Sequence, residues 1–446
     1  MGRGLIAFLL FFVNLHSTAH AGVLLKLNAG SIDPTKLTSS QDSIFSSPSK
    51  NDRSSTNPQT PVSESKDQLI STEYILQFSK PITEFDKAQL KKYFKVFNYL
   101  PDDAMVVRGS WKQIQKYQSH HNTLRAAIQY APSFKVSDEI WHLNVFNQNE
   151  FVAVIITLFS ASEVAPIIKQ IQNLDPQAAL EDFHGRRLIF TLPRKRIPSI
   201  AGLTGVEHIE AVPQMELFDF SASENPRTSL SSEYSQLTGY EDGTRLMKFN
   251  AAWAQGFRGK NQIVAMADTG VDSGNTQNII PDLQGAILQG QAFGQQSTSW
   301  ADPMGHGTHI AGLLVGRGTA SGGLIQGGAN EAQLIAGSMW SPRERNMTVP
   351  AKLAVLFDGA YQAGARVHSN SWGSSKDFGA YDDSAAQVDE WMFNNPDMLI
   401  VFAAGNGAGD FNKDGRIDNN SLATPGTAKN ALTVGASKNF ILQGGE

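Results

Sequence analysis

Three strand-like segments in the second half of the chain, two of them continuous apolar runs, each end on a polar side chain, and no other feature restricts the fold as much. Gln262-Ile263-Val264-Ala265-Met266-Ala267 runs into Asp268-Thr269-Gly270. Val367-His368-Ser369-Asn370 runs into Ser371-Trp372-Gly373, and Leu399-Ile400-Val401-Phe402-Ala403-Ala404 into Gly405-Asn406-Gly407. Continuous apolar segments of this length read as strands buried on both faces, the pattern of a parallel sheet covered by helices. Open sheets of that kind build their sites at the carboxyl ends of the strands. Three such ends, each with a different polar group, outline one active-site rim.

A fourth segment, Gly305-His306-Gly307-Thr308-His309-Ile310-Ala311-Gly312, lies between the first two runs. Its glycines permit a close backbone approach, and Ile310–Val315 reads as helix. His306 is then expected at the helix start, exposed rather than packed. His306 and His309 do not form a zinc pair, because the Glu of a His-Glu-x-x-His helix is absent. The chain has no cysteine, which excludes a thiolate zinc site, a disulfide scaffold and a cysteine nucleophile together. A formal net charge of −5 gives no electrostatic case for nucleic acid as a partner.

Taken in order, Asp268-Thr269-Gly270, the Gly-His-Gly-Thr-His helix start, Asn370-Ser371-Trp372-Gly373 and Ala403-Ala404-Gly405-Asn406 resemble the subtilisin-like serine proteases. Pro425-Gly426-Thr427-Ala428-Lys429-Asn430 adds a likeness to the alkaline, detergent-type branch. The resemblance spans about Asn250 to Phe440 and implies a three-layer α/β/α domain around a parallel sheet. It implies that His306 is the general base, that Asp268 orients it, and that Asn406 donates to the oxyanion of a tetrahedral intermediate. It also implies that Ser371, Trp372 and Gly373 form the edge that pairs with an extended protein or peptide substrate and lines its side-chain pocket.

The family's nucleophile sits in Gly-Thr-Ser-Met-Ala-x-Pro, downstream of the oxyanion Asn, and the 446 residues contain no such segment. Ser338 in Gly337-Ser338-Met339-Trp340-Ser341-Pro342 is not a substitute, because Leu334–Ser338 reads as a core strand. The expectation is a fragment of a longer reading frame that has no peptidase activity by itself.

Asp410-Phe411-Asn412-Lys413-Asp414-Gly415-Arg416-Ile417-Asp418 follows the oxyanion position and matches the start of an EF-hand-type loop. Asp410, Asn412 and Asp414 stand at positions 1, 3 and 5, Gly415 at the turn, and Arg416 supplies a backbone carbonyl. Asp418 stands at position 9, and Ser421 replaces the usual bidentate Glu at 12. Structural calcium is expected here.

The N-terminal half reads differently. Residues 1–21 have Arg3, an apolar run from Leu5 to Val13 and the triplet Ala19-His20-Ala21, the layout of a cleaved export signal. The protein is therefore expected to be secreted, with no membrane span after cleavage. Residues 22–70 are rich in Ser, Thr and Pro and are expected to be a disordered linker. Residues 71–140 and 148–219 repeat an order of strand, helix, strand, helix, strand, which suggests two ferredoxin-like α+β units. In the first, the helix is expected over Asp86–Val96.

Given the resemblance, the pair stands where the family carries a propeptide that acts as an intramolecular inhibitor. Residues 240–446 are then the catalytic domain, and a processing junction is expected between Phe220 and Gly239. Two other readings are a catalytically inactive, protein-binding relative and a calcium-dependent secreted scaffold. The nucleophile motif separates the protease from both.

Overall fold

The computed structural model describes residues 71–137, 139–140, 150–217, 243–244, 247–374, 376, 378–407, 409 and 413–436. Two short strands precede them, β1 (Leu25–Leu27) and β2 (Gly30–Ile32), paired antiparallel. These two strands fall inside the stretch expected to be unstructured. Alternating Leu25 and Leu27, followed by a glycine, favour a local hairpin over coil. The export signal, Asp410 and Asn412 lie outside the described residues. The chain divides into two units, Met1–Val212 and Pro213–Glu446.

The first unit holds two sheets of the same design. One is built from β3 (Thr72–Phe78), α1 (Glu84–Leu90), β4 (Lys95–Leu100), β5 (Ala104–Gly109), α2 (Trp111–Gln118) and β6 (Leu124–Gln129). The other has β7 (Phe151–Leu158), α3 (Val164–Leu174), β8 (Ala179–His184), β9 (Arg187–Pro193), α4 (Ile197–Ala201) and β10 (Val206–Ala211). Strand order is β4-β5-β3-β6 in the first and β8-β9-β7-β10 in the second, antiparallel throughout. Both are the complete ferredoxin-like βαββαβ pattern.

Each sheet contains one strand more than its sequence suggests, and it is one of the two edge strands, β4 or β8. β4 and β8 bury no side chain fully, so they lack an apolar run to announce them. The first helix accordingly ends at Leu90, and Lys95 and Val96 belong to β4. Ser110 caps α2 in a reciprocal capping box with Gln113, as its position before Trp111 predicts.

The second unit begins with β11 (Met215–Leu217), α5 (Phe249–Ala254), β12 (Ile263–Asp268), β13 (Ile287–Ala292) and α6 (His306–Val315). It continues through β14 (Gln333–Ser338), β15 (Trp340–Ser341), β16 (Asn346–Met347), α7 (Ala354–Gln362), β17 (Val367–Asn370) and β18 (Trp372–Ser374). It ends with α8 (Asp383–Asn394), β19 (Leu399–Ala403) and β20 (Leu432–Val434). Six strands form a wholly parallel sheet in the order β13-β14-β12-β17-β19-β20.

Alternate residues of the central strands feed two cores. Ala265, Ala267 and Ile335 pack with Leu356 and Phe357 of α7 and Val388 and Trp391 of α8. Met266, Leu334 and Ala336 pack on the opposite face with Ala311 and Val315 of α6. This is the three-layer arrangement the apolar runs imply. Each fully buried Leu or Phe in it contributes roughly 1.5–3 kcal/mol by leaving water. β20 is the sheet's edge, and its Leu432 and Val434 are about half exposed. Among the described residues no helix is long and apolar enough to cross a membrane.

Candidate active site

The strand β12 delivers Asp268 to the rim, and the chain turns at once because Gly270 adopts φ +121°. A Cβ at Gly270 would lie 2.3 Å from the carbonyl oxygen of Ala301, so only glycine fits the turn. The start of α6 comes just as close. A Cβ at Gly307 would lie 2.2 Å from the Gly270 carbonyl.

This contact between helix start and strand end sets His306 Nδ1 2.6 Å from Asp268 Oδ1. Both side chains are buried, Asp268 at 1% and His306 at 7% exposure. The expectation of an exposed histidine therefore fails: the glycine-mediated approach that places the ring also covers it. With Nδ1–H donated to the carboxylate, the basic lone pair of the imidazole is carried by Nε2.

Residues outside the paired acid and base hold this geometry. The Thr269 amide donates to Asp268 Oδ1 at 2.7 Å, and the Gly307 amide donates to Thr269 Oγ1 at 2.9 Å. Thr269 thereby ties the strand end to the helix start. Asp302 organises the approach to α6. Its Oδ1 accepts from the amides of Met304 (3.0 Å) and Gly305 (2.8 Å). Its Oδ2 accepts from the Thr308 amide (2.8 Å) and hydroxyl (2.6 Å). Thr308 Oγ1 in turn accepts the Asp272 amide at 2.8 Å. Asp302 does not stand out by sequence motif, and Thr269 and Thr308 lie inside the motifs without a role of their own, although an Asp shortly before a helix start is a known capping signal.

The other rim residues fall on neighbouring strand ends. Asn406 follows β19, is exposed, and leaves the strand through Gly405 at φ +96°. β17 alone separates β12 from β19, so Asp268 and Asn406 leave strands roughly 10 Å apart. Ser371 and Gly373 flank Trp372, whose ring is fully buried rather than lining a pocket. That ring stands edge-on to Phe402 at 5.2 Å, and its Nε1–H donates to the Ala267 carbonyl at 3.0 Å. What the segment offers outward is its backbone edge. β11 occupies that edge, pairing Met215 with Ser374, Glu216 with Gly373 and Leu217 with Trp372, antiparallel. Ser338 is fully buried at the end of β14, and its hydroxyl donates to the Thr269 carbonyl at 3.0 Å.

In the acidic loop, Asp410 and Asn412 lie outside the described residues. Asp414 Oδ1 accepts the Arg416 amide at 2.9 Å across Gly415, which has φ +82°. The Asp418 amide donates to the Gly409 carbonyl at 2.9 Å. Among the described residues no group of three or more His, Asp and Glu is placed to hold a metal ion.

Residues 259–440 match the subtilase family, and residues 26–131 match a separate domain of unknown function. A serine protease/ABC transporter B family protein (tagD) of Dictyostelium discoideum is 25% identical over 422 residues, 82% of this chain and 21% of that protein. The major intracellular serine protease of Bacillus subtilis is 38% identical over 98 residues, 21% of this chain and 28% of that protein. Subtilisin of a Bacillus species is 26% identical over 285 residues, 62% of each chain. The chain thus spans about a fifth of the length of the Dictyostelium relative. The matched segment encloses β12, α6, β17 and β19 with Asp268, His306 and Asn406 at their ends, and residues 259–440 are on that basis a domain of the subtilase family.

Proposed function

We propose that this chain belongs to a secreted serine endopeptidase precursor that cleaves peptide bonds through an acyl-enzyme. The observation that carries the reading is the buried 2.6 Å contact between Asp268 and His306 on the rim of the parallel sheet. Nε2 of His306 takes the proton of an attacking serine hydroxyl, and Asp268 stabilises the imidazolium that forms. Asn406 donates its amide to the oxyanion. The edge Ser371–Gly373 holds an extended protein substrate by strand pairing. The serine belongs to a Gly-Thr-Ser-Met-Ala-x-Pro segment that these 446 residues do not include, so the chain as it stands is inactive.

The ferredoxin-like units act as an intramolecular inhibitor. The pairing of β11 with β18 supports this, because it fills the edge a substrate needs. Calcium is the proposed staple of the loop after Asn406. Asp410, Asn412, Asp414 and Asp418 with the Arg416 carbonyl form the hard, all-oxygen donor set that calcium takes. The tight turn at Gly415 suits such a loop. Bound calcium would neutralise the carboxylates and fix the segment downstream of Asn406.

The test is hydrolysis of a denatured protein substrate by the complete gene product. Asp268→Asn is expected to lower kcat about 10,000-fold with the fold intact. Full activity in that variant, or hydrolysis by the purified 446-residue chain, would overturn the reading.

A further inference from the structure

Between β18 and α8 the chain carries Phe378, a residue outside the motifs that give the family likeness, and there it returns to the rim. Ser374, which ends β18, donates its amide to the Thr424 carbonyl at 2.8 Å, and the Gly379 amide donates to the Leu422 carbonyl at 2.7 Å. From the other side, the Ala423 amide donates to the carbonyl of Ala404, just past the end of β19, at 3.0 Å. Residues 422–424 are therefore held between the chain leaving β18 and the chain leaving β19, and backbone hydrogen bonds join all three.

The Phe378 side chain reaches across this join. A Cβ at Gly407 would lie 2.1 Å from Phe378 Cζ and 2.6 Å from Cε2, so the ring lies directly against the glycine that follows Asn406. A side chain at 407 would have to displace it. Phe378 is half-buried, whereas Asn406 and Gly407 are exposed. The ring thus bridges the β18 side of the rim and the β19 side, with part of its surface still open.

A substrate held as proposed above is fixed at two points beside the bond to be cut. Its backbone pairs with the edge at residues 371–373, and its carbonyl oxygen meets the Asn406 amide. The side chain of that substrate residue then falls between β18 and the turn at Asn406 and Gly407. Phe378 already reaches into that space. A large side chain entering there must push the ring off Gly407 and return apolar surface to water, a cost that a hydrogen, a methyl or a hydroxymethyl group avoids.

We infer that Phe378 sets the size of the side chain accepted on the acyl side of the cut bond, restricting it to Gly, Ala and Ser. The inference deepens the serine-protease reading above and rests on it. It adds to the edge at residues 371–373, which holds the substrate backbone, a residue that discriminates among substrate side chains.

The experiment is digestion of a denatured protein by the complete gene product, with the residue on the acyl side of every cut read by mass spectrometry. Gly, Ala and Ser are expected to dominate at that position. Phe378→Ala is expected to raise cuts after Phe, Tyr and Leu at least tenfold relative to cuts after Ala, as the truncated side chain leaves room for them. Cuts that fall mainly after large residues in the unaltered protein overturn the inference and leave the protease reading standing. So does an active Phe378→Ala protein whose cuts are distributed as before. A complete product that cuts nothing overturns both. The cuts made by the unaltered protein decide the matter where the variant fails to fold.

Discussion

Asp302 accepts four hydrogen bonds, two on each carboxylate oxygen, and three of them come from backbone amides at the approach to α6. Those amides would otherwise be orphaned at the helix start that carries His306. Asp302→Ala is expected to cost about 1–2 kcal/mol in urea unfolding, the upper part of the range for a lost cap. An unchanged midpoint would show that the loop holds without it. Asp268 and His306 are legible in the sequence because glycine-flanked polar residues at strand and helix ends leave a local pattern. Asp302 is less so: its role depends on Thr308 and Asp272 arriving from two other directions. His368 makes a second case. In the sequence it reads as one more strand residue, yet burial lowers its pKa to about 4. Nε2 lies 3.2 Å from the Leu356 carbonyl, and the Phe357 ring stands edge-on to the imidazole. Between an unfolded value near 6.5 and the folded value, the unfolded chain binds a proton that the fold refuses. Stability from this residue is therefore full above about pH 6.5, falls as pH drops toward 4, and levels off below. The total is about 3 kcal/mol. His368→Gln should flatten the difference in urea midpoint between pH 7 and pH 4.5, and equal losses in both proteins would refute it.

At the scale of elements, the central strands could be read from their apolar runs, but the edge strands β4 and β8 could not. β12 and β19 contribute residues to a buried core, and the need to cover them writes itself into the composition. β4 carries Lys95, Asn98 and Tyr99, and β8 carries Glu181 and Asp182, because one side of an edge strand meets water. Backbone pairing alone makes them strands, and pairing has no sequence signature. β18 shows a related limit. Ser371-Trp372-Gly373 reads as a turn at a strand end, but Trp372 is pinned into the core and the segment becomes a strand of a different sheet, paired with β11. The acidic loop after β19 carries its own prediction. If its carboxylates hold calcium, they repel one another when calcium is removed, and the loop loosens. Calcium should raise the melting temperature of the chain, and Asp414→Ala should abolish most of that rise. Identical melting curves with calcium and with chelator would exclude the staple.

At the scale of the whole N-terminal unit, two copies of one pattern are joined by a buried charge cluster. Glu73 of β3 is 1% exposed. It accepts from Arg108 of β5 at 2.8 Å, from Lys135 between the copies at 3.4 Å, and from the Gly205 amide of the second copy at 3.0 Å. Arg108 also pairs with Glu163 of the second copy, and its guanidinium lies 5.0 Å from the Phe97 ring. Phe97 stacks on Phe159 at 4.4 Å, so one ring from each copy completes the contact. The partners of Glu73 lie 35, 62 and 132 positions away along the chain, which is why sequence patterning shows two units but not their junction. Burial lowers the pKa of Lys135, and Glu73 is what offsets that cost. Removing Glu73 takes from buried Lys135 its paired carboxylate, a change that costs about 3–5 kcal/mol where one partner of a buried pair is lost. The loss should also separate the copies. Residues 26–131 match a domain of their own, which fits a first copy that holds together without the second. Amide exchange is therefore expected to give β5 and β9 one shared opening free energy in the native protein. In Glu73→Ala the β5 amides should open more readily than those of β9. A single shared value that persists in the variant would mean that the apolar contact of Phe97 with Phe159, and not the charge cluster, couples the two sheets.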